Sequence, residues 1–379
     1  MNKKVMAVAV AGAFAVPGAA LADATIYGRV NVGFDQYSAT GCTAPCTDLK
    51  SRNRVFDSGS RLGFRATEDL GGGLRAVMVL ETGVNFDTGS QAGQAGTTNA
   101  NTGFPASRDS YGGLEGDWGR VSFGRQSVFW TNGVIAQSGA NYINIDVPMA
   151  TQGGGFGRVS GIGTRIANTM MYSLPNINGF GGYASYSPQS EAATGGQNTD
   201  AVVEGLRMTY TGRVNVQLDW ASNKAQSGGV NRLQVDATKI GIGFPYAPGA
   251  QVSVIYGGGQ NKDVAGSAGF SAAHDTVKQN AWVINWEQIF GNVQAMAMYG
   301  SLMKATGCSI NCDDTEATSM MVGAKYLFSK KTGVYVSYNA TTNKANSNLD
   351  YTAASMTSAN PLALGADPRI IAIGIMQNF

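Results

Sequence analysis

Residues 60–69 read SRLGFRATED. Leu62, Phe64 and Ala66 fall on one parity, and Arg61, Arg65 and Thr67 on the other. Side chains alternate between the two faces of a strand, so this stretch offers one apolar face and one cationic face. The same period recurs. Ile26, Val30, Val32 and Phe34 oppose Tyr27, Arg29, Asn31 and Asp35. Leu74, Ala76, Met78 and Leu80 oppose Arg75, Val77, Val79 and Glu81. Leu206, Met208, Val216, Leu218 and Trp220 oppose Arg207, Asn215, Gln217 and Asp219. Strand signals of this kind run from Thr25 to Phe379. They call for a sheet whose second face holds charge, and for a reason that it can.

The connections alternate in length. Short turns are expected near 69–73, 116–118, 176–178, 211–212, 247–249, 291–292 and 329–332, where Gly, Asn or Pro-Gly separate alternating runs. Long polar segments rich in Gly, Ser, Asn and Thr are expected at 38–53, 83–105, 126–164, 188–201, 223–232, 259–275, 304–315 and 341–368. Seven short turns between eight long loops predict about sixteen antiparallel strands, with both chain ends on the short-turn side. Membrane barrels have short turns on one side and longer loops on the other. A secreted β-sandwich or solenoid also alternates. The barrel is favoured because Tyr210, Trp220, Tyr246, Tyr256, Trp286, Tyr299, Tyr326 and Tyr338 lie near strand ends on the apolar parity, as two aromatic girdles would.

The N-terminus fits export. Lys3 and Lys4 precede the apolar run Val5 to Val16, and Ala20-Leu21-Ala22 is a small-x-small cleavage pattern. Residues 1–22 are expected to be a cleaved signal peptide and 23–379 a single domain. Without Lys3 and Lys4 the 27 basic residues fall to 25, matching the 25 acidic ones. No basic excess points to nucleic acid. Charged residues make up only 14 %, against about a quarter in soluble domains. No apolar run after the leader reaches the roughly 18 residues of a spanning helix. The last residues, RIIAIGIMQNF, set Ile371, Ile373, Ile375 and Phe379 on one parity, which suits a final strand pairing with the first to close the sheet.

Several stretches together resemble the Gram-negative general porins, in their neisserial and betaproteobacterial trimeric branch. They are ATIYGRVNVGF at 24–34, SRLGFRATEDLGGGLRAVMVLE at 60–81 and RDSYGGLEGDWGRVSFGRQ at 108–126, then RIANTMMYSLP at 165–175, YLFSKKTGVYVSY at 326–338 and the terminal Phe379. The resemblance implies an all-β, sixteen-stranded transmembrane barrel in the outer membrane, three barrels to a trimer, and a third external loop, roughly 127–160, folded into each lumen. It implies contact with outer-membrane lipid and lipopolysaccharide, and recognition of the C-terminal strand with Phe379 by the barrel-assembly machinery. Gln377 departs from the aromatic or His more usual there.

A barrel this wide holds water, so its inner face can carry charge. The resemblance implies a basic ladder of Arg61, Arg108 and Arg165 on the wall opposite the inward loop, with Arg125 as a fourth member. Arg65, Arg75 and Glu81 would line the wall. Between Asp117 and Glu191 the only acidic residue is Asp146, expected to face the arginines across the constriction. The expected function is passive diffusion of ions and small hydrophilic solutes with mild anion preference. The alternatives are a substrate-selective anion channel and a structural or adhesive barrel without a useful pore.

Four cysteines, Cys42 and Cys46 in CTAPC and Cys308 and Cys312 in CSINC, lie in long loops. Three pairings exist, of which the two local bridges are simplest after export. Enzyme chemistry finds little support. The single histidine, His274, lies beside Asp275 in a loop without a nucleophile context, and GGGFGRVSG at 153–161 lacks the Lys-Ser/Thr of a phosphate loop. No metal or cofactor is expected.

Overall fold

Almost every segment of alternating polarity is a strand in the computed structural model, which describes residues 23–43, 48–87, 90–91, 106–129, 165–188, 202–227, 231–262, 275–351 and 362–379. In chain order the strands are β1 (Asp23–Thr40), β2 (Leu49–Asp57), β3 (Arg61–Gly71), β4 (Leu74–Asn85), β5 (Ser90–Gln91) and β6 (Ser110–Gly116). There follow β7 (Gly119–Ser127), β8 (Arg165–Ile177), β9 (Phe180–Pro188), β10 (Val202–Tyr210), β11 (Asn215–Ser227) and β12 (Asn231–Ala247). The last six are β13 (Ala250–Lys262), β14 (Val277–Phe290), β15 (Val293–Leu302), β16 (Ala317–Leu327), β17 (Thr332–Asn343) and β18 (Asp367–Asn378).

β2 and β3 are two halves of one stave, since both pair with β1. β5 is a two-residue ribbon on the end of β4. The described strands therefore form sixteen antiparallel staves. Each pairs with its sequence neighbours, and β1 pairs with β18 from Arg29↔Asn378 to Thr40↔Asp367. That seam closes the barrel and leaves no unpaired edge, the condition for a sheet to stand in hydrocarbon.

The barrel is inside out relative to a soluble protein. Asn31, Asp35, Gln217, Asp219, Lys239 and Asn339 face inward and are almost inaccessible. Val55, Phe123, Ile371 and Ile373 face outward and are each more than half exposed. Lipid covers that outer face, so this exposure is the apolar band of a membrane barrel.

Aromatic residues gather at the outer short-turn rim. Trp118 stacks on Tyr172 at 6.4 Å, Phe180 packs on Tyr210 at 4.8 Å and Tyr326 on Phe328 at 5.2 Å. The Trp286 indole N–H donates to the Tyr246 hydroxyl at 2.9 Å. Amphipathic rings with a polar atom at the boundary suit a membrane interface.

All seven short turns stand where the turn residues put them. Several of the long loops are shorter than expected, although 304–315 is not, since β15 ends at Leu302 and β16 begins at Ala317. β1 runs to Thr40 and β2 begins at Leu49, within the expected loop 38–53. β11 and β12 extend to Ser227 and from Asn231, leaving 228–230 of the expected 223–232. The strands rise beyond the apolar band, and there a strand no longer needs an apolar face. Polar composition marks the end of the lipid contact, not the end of the strand. Residues 1–22, Cys46, Asp146 and His274 lie outside the described residues.

Candidate pore constriction

The inner face of β1, β3 and β4 builds one side of the site. Cross-strand register puts Arg29 opposite Arg61, and Glu81 opposite Gly63, which directly adjoins them. Glu81 pairs with two guanidiniums. The Arg61 Nε lies 3.6 Å from its Oε2, and the Arg108 Nε bonds its Oε1. The Arg108 backbone N–H also donates to the Glu81 carbonyl at 3.0 Å, which fixes the chain entering β6.

β7 and β8 build the other side. Asp109 accepts from the Ser127 amide at 2.7 Å and from the Ser127 hydroxyl at 2.8 Å. The Arg165 Nε reaches its Oδ2 at 3.4 Å. Arg61 and Arg165 both count Arg108 among their electrostatic neighbours, so the guanidiniums form one group. Arg125 is tied to a backbone carbonyl, that of Ser107, at 3.2 Å. Arg29 donates to the Asn378 side chain at 3.1 Å.

Two backbone irregularities surround this group. The β1 register shifts by one residue between Val32↔Asp57 and Arg29↔Arg61, with Gly59 between them at φ +71°. A second shift falls between Gly124 and Gln126, and across from it Asn168 takes φ +55°. An extra residue re-aims the side chains beyond it. In β2 the even-numbered Arg54 faces inward and holds Asp35 at 2.6 Å, and after the bulge the odd-numbered Arg61 does.

The remaining expected wall residues lie toward the short-turn rim. Arg65 stacks over the Tyr27 ring at 5.8 Å, and Arg75 pairs with Glu115 at 2.7 Å. Arg75 belongs to a longer pattern. One row of cross-strand neighbours runs Asp69, Arg75, Glu115, Arg120, Ser173, Tyr183, Arg207, Asp219, Lys239. It begins at the rim and, through the stagger of the strands, climbs to mid-barrel. Its far end is a tight network: Arg207 Nε to Asp219 Oδ1 at 2.6 Å, and Lys239 Nζ to Asp219 Oδ2 at 3.6 Å.

Sequence parity placed Arg61, Arg65, Arg75 and Glu81 on one face. Arg29, Asp109 and the Arg207–Asp219–Lys239 network were not among the expected site residues. A signal existed for the last. The short turn after Tyr210 brings Arg207 opposite Asp219. Cys308 and Cys312 are bridged, with Cα atoms 5.5 Å apart, and Cys42 is also disulfide-bonded. Cys46, the expected partner of Cys42, lies outside the described residues.

A closed barrel with a charged inner face and an apolar outer one has the architecture of an aqueous channel across a membrane. Residues 7–346 match the family model for the Gram-negative porin. The chain belongs to that family. It is 28 % identical to the major outer membrane protein P.IB of Neisseria lactamica, covering 89 % of this chain and 92 % of the relative. It is 29 % identical to an outer membrane porin protein of Bordetella pertussis, covering 88 % and 93 %. An anion-selective porin from Comamonas acidovorans superposes with a TM-score of 0.72 at 23 % identity, over 94 % of this porin and all of that chain. OmpT of Vibrio cholerae follows with 0.64 at 14 % identity, over 96 % and 100 %. This porin is thus a channel-forming protein of a Gram-negative outer membrane, and its likeness to the solved structures shows the fold.

Proposed function

We propose that this porin passes small hydrophilic solutes and ions passively, with a mild preference for anions set by Arg61, Arg108 and Arg165. Arg125 contributes to the same group and Arg65, Arg75 and Glu81 to the wall. The observation that carries the reading is the charge balance. Arg29, Arg61, Arg108 and Arg165 gather around Glu81 and Asp109, so four cations meet two carboxylates. A net positive ring favours anions entering a water-filled constriction. The Comamonas relative is described as anion-selective, in line with this.

The third external loop is proposed to enter the lumen and bring Asp146 toward the arginines. Support comes from its root. Phe129, two residues past β7, bonds inward-facing side chains of β9 and β12. The active unit is proposed to be a trimer of the 23–379 domain after removal of residues 1–22. Among the described residues, the outward faces of β18, β1, β2, β3, β4 and β6 carry no Trp or Tyr. That sector exposes aliphatic residues, with only Phe34 and Phe64 as aromatics among them, where the rest of the barrel has its Trp and Tyr girdle, as a surface covered by protein would be. Lipopolysaccharide around the girdle, and delivery by the assembly machinery through the Phe379 strand, complete the proposal.

The test is the reversal potential of purified native protein in a planar bilayer across a salt gradient. An anion-signed potential that moves toward cations in Arg61→Ala is expected. A cation-signed potential in the native protein would overturn arginine dominance and leave the pore.

A further inference from the structure

The Arg207–Asp219–Lys239 network is too buried to meet a passing solute: the Lys239 side chain is 2 % exposed and that of Asp219 is inaccessible. It holds something else. Phe129 is fully buried and takes φ +62°, a left-handed conformation that a bulky side chain adopts only when its surroundings impose it. Each part of the residue is engaged. Its amide N–H donates to the Tyr183 hydroxyl at 2.9 Å, and its carbonyl accepts from the Lys239 ammonium at 2.8 Å. Its ring lies under the same ammonium, 4.2 Å away. Val128 is seated beside it over Gly205, where an added Cβ would lie 2.4 Å from Val128 Cγ1.

These partners lie on β9, β10 and β12, while Phe129 leaves β7. The corner therefore crosses to a wall several staves away. Asp219 makes this possible at Lys239, because an ammonium so deeply placed needs an opposing charge. Arg207 and Gln217 hold the Asp219 carboxylate in turn.

We infer that Lys239, Asp219 and Tyr183 are positioning residues that clamp the Val128–Phe129 corner to the β9–β12 wall and so fix where the following chain enters the pore. The conductance part of this inference rests on the proposed reading that the third loop lies in the lumen. The clamp itself stands on the contacts of two residues at the loop root. A glycine at 205 leaves room for Val128, and a lysine at 239 reaches the carbonyl.

Two measurements on the full-length folded protein test it. The first is single-channel recording. Lys239→Met is expected to lose the single conductance level and to raise open-channel current noise several-fold, with the reversal potential still anion-signed because the arginine group is untouched. Lys239→Arg should keep most of the native behaviour, and Gly205→Ala, which displaces Val128 without touching a charge, should repeat the noise. A merely structural role would lower the temperature of unfolding and leave the noise alone. Lys239→Met and Gly205→Ala proteins that fold and conduct like the native one would overturn the clamp, and if Lys239→Met does not fold, Gly205→Ala decides.

The second measurement does not depend on conduction. A Val128→Cys/Gly205→Cys pair should cross-link readily under mild oxidation, and several-fold more slowly when Lys239→Met is added. Equal rates would overturn the clamp. A native protein that does not conduct but shows the rate difference would leave the clamp standing and remove the pore reading instead.

Discussion

Glu81 holds two of the arginines proposed to give the constriction its sign. Its carboxylate both anchors Arg61 and Arg108 and offsets their charge. Glu81→Gln leaves four cations, Arg29, Arg61, Arg108 and Arg165, facing Asp109 alone. The chloride-over-cation permeability ratio should rise about two- to threefold, the effect of roughly half a kcal/mol on an ion in a screened aqueous pore. Bilayer reversal potentials read this directly, and an unchanged ratio would mean that Glu81 does not face the permeating ion. A second residue is informative outside the membrane band. Asp350, between β17 and β18, accepts from the Tyr37 hydroxyl at 3.1 Å and from the Tyr351 amide. Burial pushes its carboxyl up from 3.8 to about 6, and these two hydrogen bonds only partly counter that. The folded state then holds the proton more tightly than the unfolded state. The docking it supports is complete below about pH 4, weakens as pH rises through about 6 and is constant above, by at most about 3 kcal/mol. Hydrogen exchange of residues 344–351, corrected for intrinsic rates, should be faster at about pH 7.5 than at about pH 5, and Asp350→Asn should remove the difference. Equal protection of the native segment at both values would count against the assignment.

At the scale of the strand, the bulge between β2 and β3 decides which arginines see water. Without the extra residue, a β2–β3 stave facing Arg54 inward would turn Arg61 toward lipid. An arginine on the lipid face costs roughly 2–4 kcal/mol near the midplane. Deleting Gly59 should therefore either abolish the heat-resistant barrel on gels or leave a barrel that has lost anion preference as Arg61→Ala does. A variant with native stability and native selectivity would show that the bulge does not aim Arg61. This element also marks the limit of what the sequence makes legible. Alternation in SRLGFRATED aligned Arg61 and Arg65, and the turn residues placed the hairpins, because both signals are local. The bulge reverses parity within one stave, and Ser58-Gly59-Ser60 alone does not say that the strand continues through it. The contacts that join Arg108 to Glu81, or Lys239 to Phe129, span 27 and 110 residues and depend on stagger around the closed barrel. No local pattern encodes that stagger. The strand extensions past the bilayer were hidden for a related reason, since polar ends look alike in strands and loops.

At the scale of the whole barrel, everything depends on one seam. Gly28 and Phe379 exchange backbone hydrogen bonds at 3.2 and 3.1 Å, so the last residue of the chain is the last rung of the closing ladder. The Phe379 ring lies over Gly28 on the outer face, where an added Cβ would sit 2.4 Å from its Cζ. The terminal aromatic and the glycine are thus a single closing device, in which the ring covers the backbone that the glycine leaves bare. Gly28→Val should displace the ring and slow closure. Phe379→Ala alone should cost about 1 kcal/mol, since the ring is 47 % exposed and loses only part of a full burial. The two changes should not add, because both break the same contact. The double variant is expected to recover part of the loss caused by Gly28→Val. Recovery stays partial because the Arg61 carbonyl also lies 2.6 Å from that Cβ position. Urea titration of folding into lipid vesicles measures all four proteins of the cycle. Strict additivity would mean that Phe379 closes the barrel through its backbone alone, with its ring free for whatever recognises the chain end before the barrel forms.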